Sequence, residues 1–235
     1  MPRLSLVMRG IKSQQAKQGR QSRPRLPITP TILRQLRRVW DNSADDFDII
    51  MLWAASTTCF FGFMRAGEIT VPSQDACDPT SHLSFNDIAV DAHTNPTVME
   101  IRVKASKTDP FRRGVNLYIG RTNNDLCPIA AMMAYLAIRG GSEGPLFRFK
   151  SGQPLTRERF VTKVREALSA SGVDHSKYAG HSFRIGAATT AAQCGIADST
   201  IQLLGRWESS AYLLYIRTPR KTLADLSAVL SRSPS

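Results

Sequence analysis

Apolar residues recur at spacings of three and four from residue 29 to about 65, the period of a buried helix face, and again after residue 125. Thr29 and Pro30 supply a cap followed by proline at the first helical position, so a helix should run from there to about Trp40. A second helix is expected to open between Ser43 and Asp46 and to run through IIMLWAASTTCFFGFM to Arg65. Apolar almost all round, it should be the central buried helix. After Pro72 the texture changes. LSFNDIAVD, TVMEIRVKAS and GVNLYIG are short, β-branched and separated by Asn, Pro, Asp and Gly. They predict three antiparallel strands, the last two joined as a hairpin around SKTDPFRRG. Helical spacing returns over Asp125–Arg139, with Pro128 near its first turn, and Leu146 to Phe149 read as a short strand. Thr156 should cap a helix reaching about Ser171, with Glu158 in its first turn, and Thr222–Leu230 is a last amphipathic segment. The whole predicts a mainly α fold with one small antiparallel sheet, of the α+β class.

Charge adds a direction to this outline. Among 235 residues, 31 Lys and Arg oppose 19 Asp and Glu, a formal net charge of +12. Such an excess favours a polyanionic partner. Residues 1–40 hold ten of the basic side chains and no acidic one. Residues 1–28 therefore read as a basic arm or linker able to lie on a phosphate backbone, with Arg23 and Arg25 at its end. Cys59, Cys77, Cys127 and Cys194 are widely spaced without a CxxC pair, which fits reduced intracellular thiols better than a disulfide frame or a zinc site. No run of about eighteen apolar residues predicts a membrane span.

Candidate chemistry gathers in Gly180–Arg217, GHSFRIGAATTAAQCGIADSTIQLLGRWESSAYLLYIR. His181 and Arg184 are three apart, so on a helix an imidazole and a guanidinium share a face and can reach one small anion. Gly186, Ala187 and Ala188 behind them allow close helix packing. Arg65 closes the most apolar helical run, where a charge is costly unless paired or facing a ligand, and Glu68 is one turn away to hold it. Lys107 lies at the tip of the expected hairpin with Arg112 and Arg113 nearby, and Lys104 competes for its role. A hairpin is thin enough to enter a DNA groove, where an ammonium can protonate a departing oxygen. Tyr215 and Tyr212 are three apart, and spacing alone does not choose between them.

Taken in order, Arg65 with Glu68, Lys107, His181 with Arg184, and Tyr215 resemble the signature of the tyrosine recombinases. That signature is an arginine in R-x-x-E, a hairpin lysine, an H-x-x-R pair, a further His or Trp, and a nucleophilic tyrosine. The wording GRWESSAYLLYIR, with RLPIT near the start, is similar to the branch carried by Crypton-like and DIRS-like mobile elements. The resemblance spans about residues 25–220 and implies a catalytic domain over 29–220, followed by a 221–235 segment that docks on a neighbouring subunit. It departs from the pattern in two places. Arg206 stands where the His or Trp is expected, with Trp207 one place later. Trp207 is expected to take the hydrogen-bonding role through a local shift, the alternative being a phosphate contact by Arg206 itself. The family's helical core-binding domain is also too large for the basic stretch ahead of residue 41, so the chain is expected to be a fragment or a relic.

The resemblance implies transesterification on double-stranded DNA, within a homotetramer and without a metal, cofactor or ATP. It implies Tyr215 as nucleophile, Arg65 and Arg184 on the phosphate oxygens, Lys107 as general acid, and His181 assisting proton transfer or anchoring the phosphate. An intracellular site, nuclear in a eukaryote, follows as an expectation. A DNA-binding module without catalysis, and a type IB topoisomerase that nicks and reseals one strand, are the alternatives.

Overall fold

The computed structural model describes residues 25–41, 46–104, 114–141 and 143–217. The basic arm to residue 24, the hairpin tip and the segment after Arg217 lie outside them. Helix α1 (Pro30–Asp41) opens as expected, with Thr29 Oγ1 accepting the Ile32 N–H at 3.3 Å, and buries Leu33, Leu36 and Trp40. Asp46 caps α2 (Phe47–Phe61) by accepting the Asp48 N–H at 2.8 Å. Every residue from Met51 to Phe60 is buried, so α2 is the central helix the pattern predicts.

That helix does not reach Arg65. It stops at Phe61 in a Schellman turn: the Phe63 N–H bonds Phe60 O at 3.1 Å and the Met64 N–H bonds Cys59 O at 2.8 Å. Phe63 takes the left-handed position, at φ 49°. Arg65 falls instead at the N-cap of the short α3 (Ala66–Ile69), where Glu68 accepts its backbone N–H at 2.8 Å.

Strands β1 (Ile88–Val90), β2 (Val98–Val103) and β3 (Val115–Gly120) form one antiparallel sheet in that order, with Met99 opposite Ile119 and Ile101 opposite Leu117. Met99, Ile101, Val103 and Ile119 are buried while Tyr118 is exposed, the alternation of a half-covered sheet. The first strand is shorter than predicted. Phe85–Asp87 form a 3-10 turn, closed by Asp87 accepting the Ser84 N–H and hydroxyl at 2.7 and 2.6 Å.

Helix α4 (Pro128–Arg139) starts at its proline. Leu146 to Phe149 is not a strand. Its backbone pairs only in single bridges, with the Leu155 N–H on Phe147 O and the Phe149 N–H on Gln153 O, both at 2.9 Å, while Tyr135 Oη and Arg139 Nε donate to Leu146 O at 3.0 and 2.9 Å. Thr156 caps α5 (Arg157–Ala170), accepting the Arg159 N–H at 3.2 Å. Helices α6 (Ser182–Gln193) and α7 (Asp198–Leu204) complete the order.

Helix α2 packs on α4 and α6, and α1 on α5. The chain entering α1 runs against α6, where the Ile28 N–H bonds Ser182 O at 2.9 Å. Gly186 is required for this approach, since a Cβ there would lie 1.8 Å from Ile28 O. Among the described residues no helix is long and apolar enough to cross a membrane.

Candidate active site

Arg65, Glu68, Arg184 and Arg206 come together although up to 141 positions separate them in the chain. Glu68 is at the centre. Its carboxylate takes the Arg65 guanidinium at 3.0 Å and the Arg206 guanidinium at 3.0 Å, with Arg184 Nη1 3.9 Å away. Its side chain is 6% exposed and that of Arg184 only 1%. A buried charge is tolerable only with partners. Here three guanidiniums surround one carboxylate, leaving a net positive charge beneath the surface.

Two helix ends supply the rest of the frame. Helix α7 closes in the same turn as α2: the Arg206 N–H bonds Leu203 O and the Trp207 N–H bonds Gln202 O, both at 3.0 Å, with Arg206 at φ 54°. Arg184 Nη1 donates to Phe63 O at 2.8 Å and its Nη2 donates to Gly205 O, so one side chain ties both turns. Arg206 Nη1 donates to Gly62 O at 3.1 Å. Both guanidiniums therefore sit on the carbonyl-rich C-terminal ends of helices, where the backbone dipoles favour cations. Burial, with Arg65 adding like charge, still lowers the Arg184 pKa to about 10, and burial lowers that of Arg206.

Trp207 and Tyr215 stand over this base. The Arg184 guanidinium carbon lies 4.3 Å from the Trp207 ring centre, a cation–π contact, and 5.9 Å from that of Tyr215. The Tyr215 ring is 5.1 Å from Trp207 and 6.5 Å from His181, nearly parallel to the latter. Gly205 admits the indole, since a Cβ on it would fall 1.6 Å from the Trp207 ring. Two donors, Arg184 Nε and Trp207 Nε1, are buried without a hydrogen-bond partner among the described residues.

The two tyrosines differ. Tyr212 is buried and its hydroxyl donates to Asp198 at 3.2 Å. Tyr215, partly exposed, makes no side-chain hydrogen bond to a described residue. It closes the 3-10 turn Ser210–Leu214, and Thr189 of α6 fixes its backbone by donating to Tyr215 O at 3.2 Å and accepting the Arg217 N–H at 3.1 Å.

His181 precedes α6 and makes no capping bond. Its pKa is lowered by partial burial and then by the cations Arg65, Arg157 and Arg184, so the neutral imidazole is favoured. Arg157 and Thr189 were not legible as site residues, since neither belongs to a motif. Arg157 opens α5 and lies against Gly180, with its Nε 3.4 Å from where a Cβ would be.

The remaining candidates lie apart from this cluster or outside the described residues. Lys104 follows β2, and its ammonium is held by Asp87 at 2.6 Å, Pro79 O at 2.7 Å and Ser84 Oγ at 3.1 Å. Arg25 donates to Ser176 O at 2.8 Å. Lys107, Arg112, Arg113 and Arg23 lie outside the described residues.

No protein-family profile matches the chain, and no curated protein is similar to it in sequence. Solved structures are similar in fold. XerA recombinase aligns over 92% of this chain at TM-score 0.64 and 15% identity. XerH site-specific recombinase bound to its palindromic difH substrate aligns over 90% at 0.64 and 15% identity. A lambda integrase (75–356) dimer bound to a COC′ core site aligns over 84% at 0.57 and 18% identity. The chain spans 66%, 55% and 61% of those three chains. Its mainly helical domain with a three-stranded antiparallel sheet has the fold of the tyrosine recombinase catalytic domain.

Proposed function

We propose that this chain cleaves and rejoins double-stranded DNA through a 3′-phosphotyrosine intermediate, as a site-specific recombinase or integrase. The observation that carries the reading is the pair of buried, unpartnered donors, Arg184 Nε and Trp207 Nε1, set in a net-positive cluster beside Tyr215. Leaving a buried donor unpaired costs about 1–3 kcal/mol, so an acceptor brought to this cluster would be favoured there. The DNA-bound states named for XerH and lambda integrase support the same class of partner.

In this mechanism Tyr215 Oη attacks the phosphorus. A new P–O bond forms as the bond to the 5′-oxygen breaks, and neutral His181 takes the phenol proton. Arg65 and Arg184 neutralise the non-bridging oxygens as charge builds, and Trp207 adds a neutral hydrogen bond. Lys107 gives the leaving 5′-oxygen its proton, and a 5′-hydroxyl of a partner strand reverses the step. Tyr215 is preferred over Tyr212 because the Tyr212 hydroxyl is committed to Asp198. Within this class we place the chain in the mobile-element branch, on the wording of Gly205–Arg217, with four copies assembling on DNA.

The test is a nicked duplex whose short cleaved strand diffuses away, trapping the covalent adduct. Peptide mass spectrometry should place the DNA on Tyr215, and Tyr215→Phe should abolish the adduct while Tyr212→Phe retains it. DNA binding with no adduct on any tyrosine would favour the non-catalytic alternative.

A further inference from the structure

We infer that Arg206 is a positioning residue for the proposed cleavage. It takes up the charge of Glu68, leaving Arg65 and Arg184 net positive toward the phosphate. The inference rests on the reading above and assigns Arg206 a role apart from contacting DNA.

Three observations lead there. Arg206 occupies a left-handed backbone position, φ 54°, where α5 and α6 place Gly172 and Gly195. A non-glycine residue is strained in that conformation, so its side chain must make contacts that offset the strain. Its two terminal nitrogens are both used inside the chain, Nη1 on Gly62 O at 3.1 Å and Nη2 on Glu68 at 3.0 Å. Glu68, almost wholly buried, meanwhile holds both the backbone N–H and the guanidinium of Arg65, at 2.8 and 3.0 Å.

Consider the charge without Arg206. Glu68 would oppose Arg65 and Arg184 alone, leaving one net positive charge where there are now two. A phosphodiester carries one negative charge and gains a second as the tyrosine oxygen adds. The lost cation should therefore weaken the transition state more than the bound state. The fork of Arg206 also joins the turn before Arg65 to the turn before Trp207, so it sets the spacing between the two halves of the site.

Charge compensation provides the test. On the nicked duplex, Arg206→Gln should lower the cleavage rate at saturating DNA about tenfold, less than the hundredfold or more that loss of a direct oxyanion donor costs, with little change in DNA affinity. Adding Glu68→Gln restores two net positive charges, so the double variant should cleave faster than Arg206→Gln alone. A double variant as slow as the single one, or an undiminished Arg206→Gln, overturns the inference. If the double variant does not fold, Arg206→Lys against Arg206→Met decides: the lysine should retain more cleavage, and equal rates overturn the role. If the unaltered chain forms no adduct, the cleavage reading fails by itself. The clamp is then read from a stability cycle over Arg206→Gln and Glu68→Gln, where additive effects would refute it and coupled effects would support it.

Discussion

Helices α5 and α6 end as helices commonly do, with Gly172 and Gly195 in the left-handed position at φ 73° and 74°. Helices α2 and α7 close with the same hydrogen bonds, yet put Phe63 and Arg206 there, at φ 49° and 54°. The first pair of turns only stops a helix. A Cβ on Gly172 or Gly195 would meet nothing within 4 Å. The second pair frames the candidate active site: Phe63 is 7% exposed and packs in the core, Arg206 reaches Glu68, and Arg184 bonds a carbonyl in each turn. Among the described residues, a third non-glycine residue takes this conformation, Asn95 at φ 50° in the β1–β2 turn. Of these four helix ends, however, the two that put a side chain there are the two that must bring distant segments together.

Breaking the link between the two turns should have the largest effect. Arg184→Ala strips hydrogen bonds from Phe63 O and Gly205 O and leaves Glu68 with one cation fewer. Removing one partner from a buried charge network costs about 3–5 kcal/mol, which chemical denaturation would read as a lower midpoint. Cleavage should fall by about a hundredfold or more, because a guanidinium leaves the phosphate site itself. Arg184→Lys keeps the charge but cannot bridge both carbonyls, so it should recover stability only in part. A fully stable Arg184→Ala chain would mean that the turns hold themselves.

The next test separates two uses of glycine. Gly205 has an ordinary φ of −84° and is small because the Trp207 ring lies on it. Gly195 has open space around it and is constrained only by its φ of 74°. Gly205→Ala should cost about 3 kcal/mol through overpacking and shift Trp207 fluorescence. Gly195→Ala should cost about 1 kcal/mol through backbone conformation alone and leave the site unchanged. Equal losses would show that the indole is not seated on Gly205.

These turns also mark where the sequence was readable. The caps at Thr29, Asp46 and Thr156, the apolar run of α2 and the β2–β3 pairing depend on neighbouring residues, and each formed near its predicted place. The end of α2 did not. A reader expects glycine in the left-handed position, whereas in both FGFM and LGRW the glycine stands one residue too early. Gly62 is small because a Cβ would come 2.9 Å from Thr58 O, and Gly205 because of Trp207, so the left-handed residue follows each. Neither reason is local. Leu146 to Phe149 fell short of a strand for a similar reason: it pairs with Gln153 to Leu155 only in a single bridge, and the distant side chains of Tyr135 and Arg139 take the Leu146 carbonyl. The meeting of Arg65 with Arg184 was legible only through the ordered resemblance, since no local pattern joins residues that far apart. Arg157 and Thr189 carried no signal at all.

The smallest effect concerns charge that the two turns do not absorb. The carbonyl ends of α2 and α7 and the Glu68 carboxylate take up much of the charge of Arg184 and Arg206. His181 reports what remains, because partial burial and then Arg65, Arg157 and Arg184 hold its pKa below the usual 6.5. The sign follows from proton counting. Below pH 6.5 the unfolded chain takes up a proton on this imidazole more readily than the folded chain does, so acid favours unfolding. The contribution of His181 to stability is complete above that pH and is lost as pH falls through it toward the lowered folded value. The chain should therefore lose more thermal stability between pH 7.5 and pH 5.5 than His181→Gln, which has no proton to gain. Arg157→Gln removes one of the cations, so its own acid loss should be smaller than that of the unaltered chain. Duplex DNA should reverse the trend: a phosphate beside the imidazole favours its charged form, so binding near pH 6 should take up a proton, measurable by calorimetry in buffers of different ionisation heat. A histidine that titrates identically with and without DNA would place the bound phosphate away from His181, and with it away from the two turns.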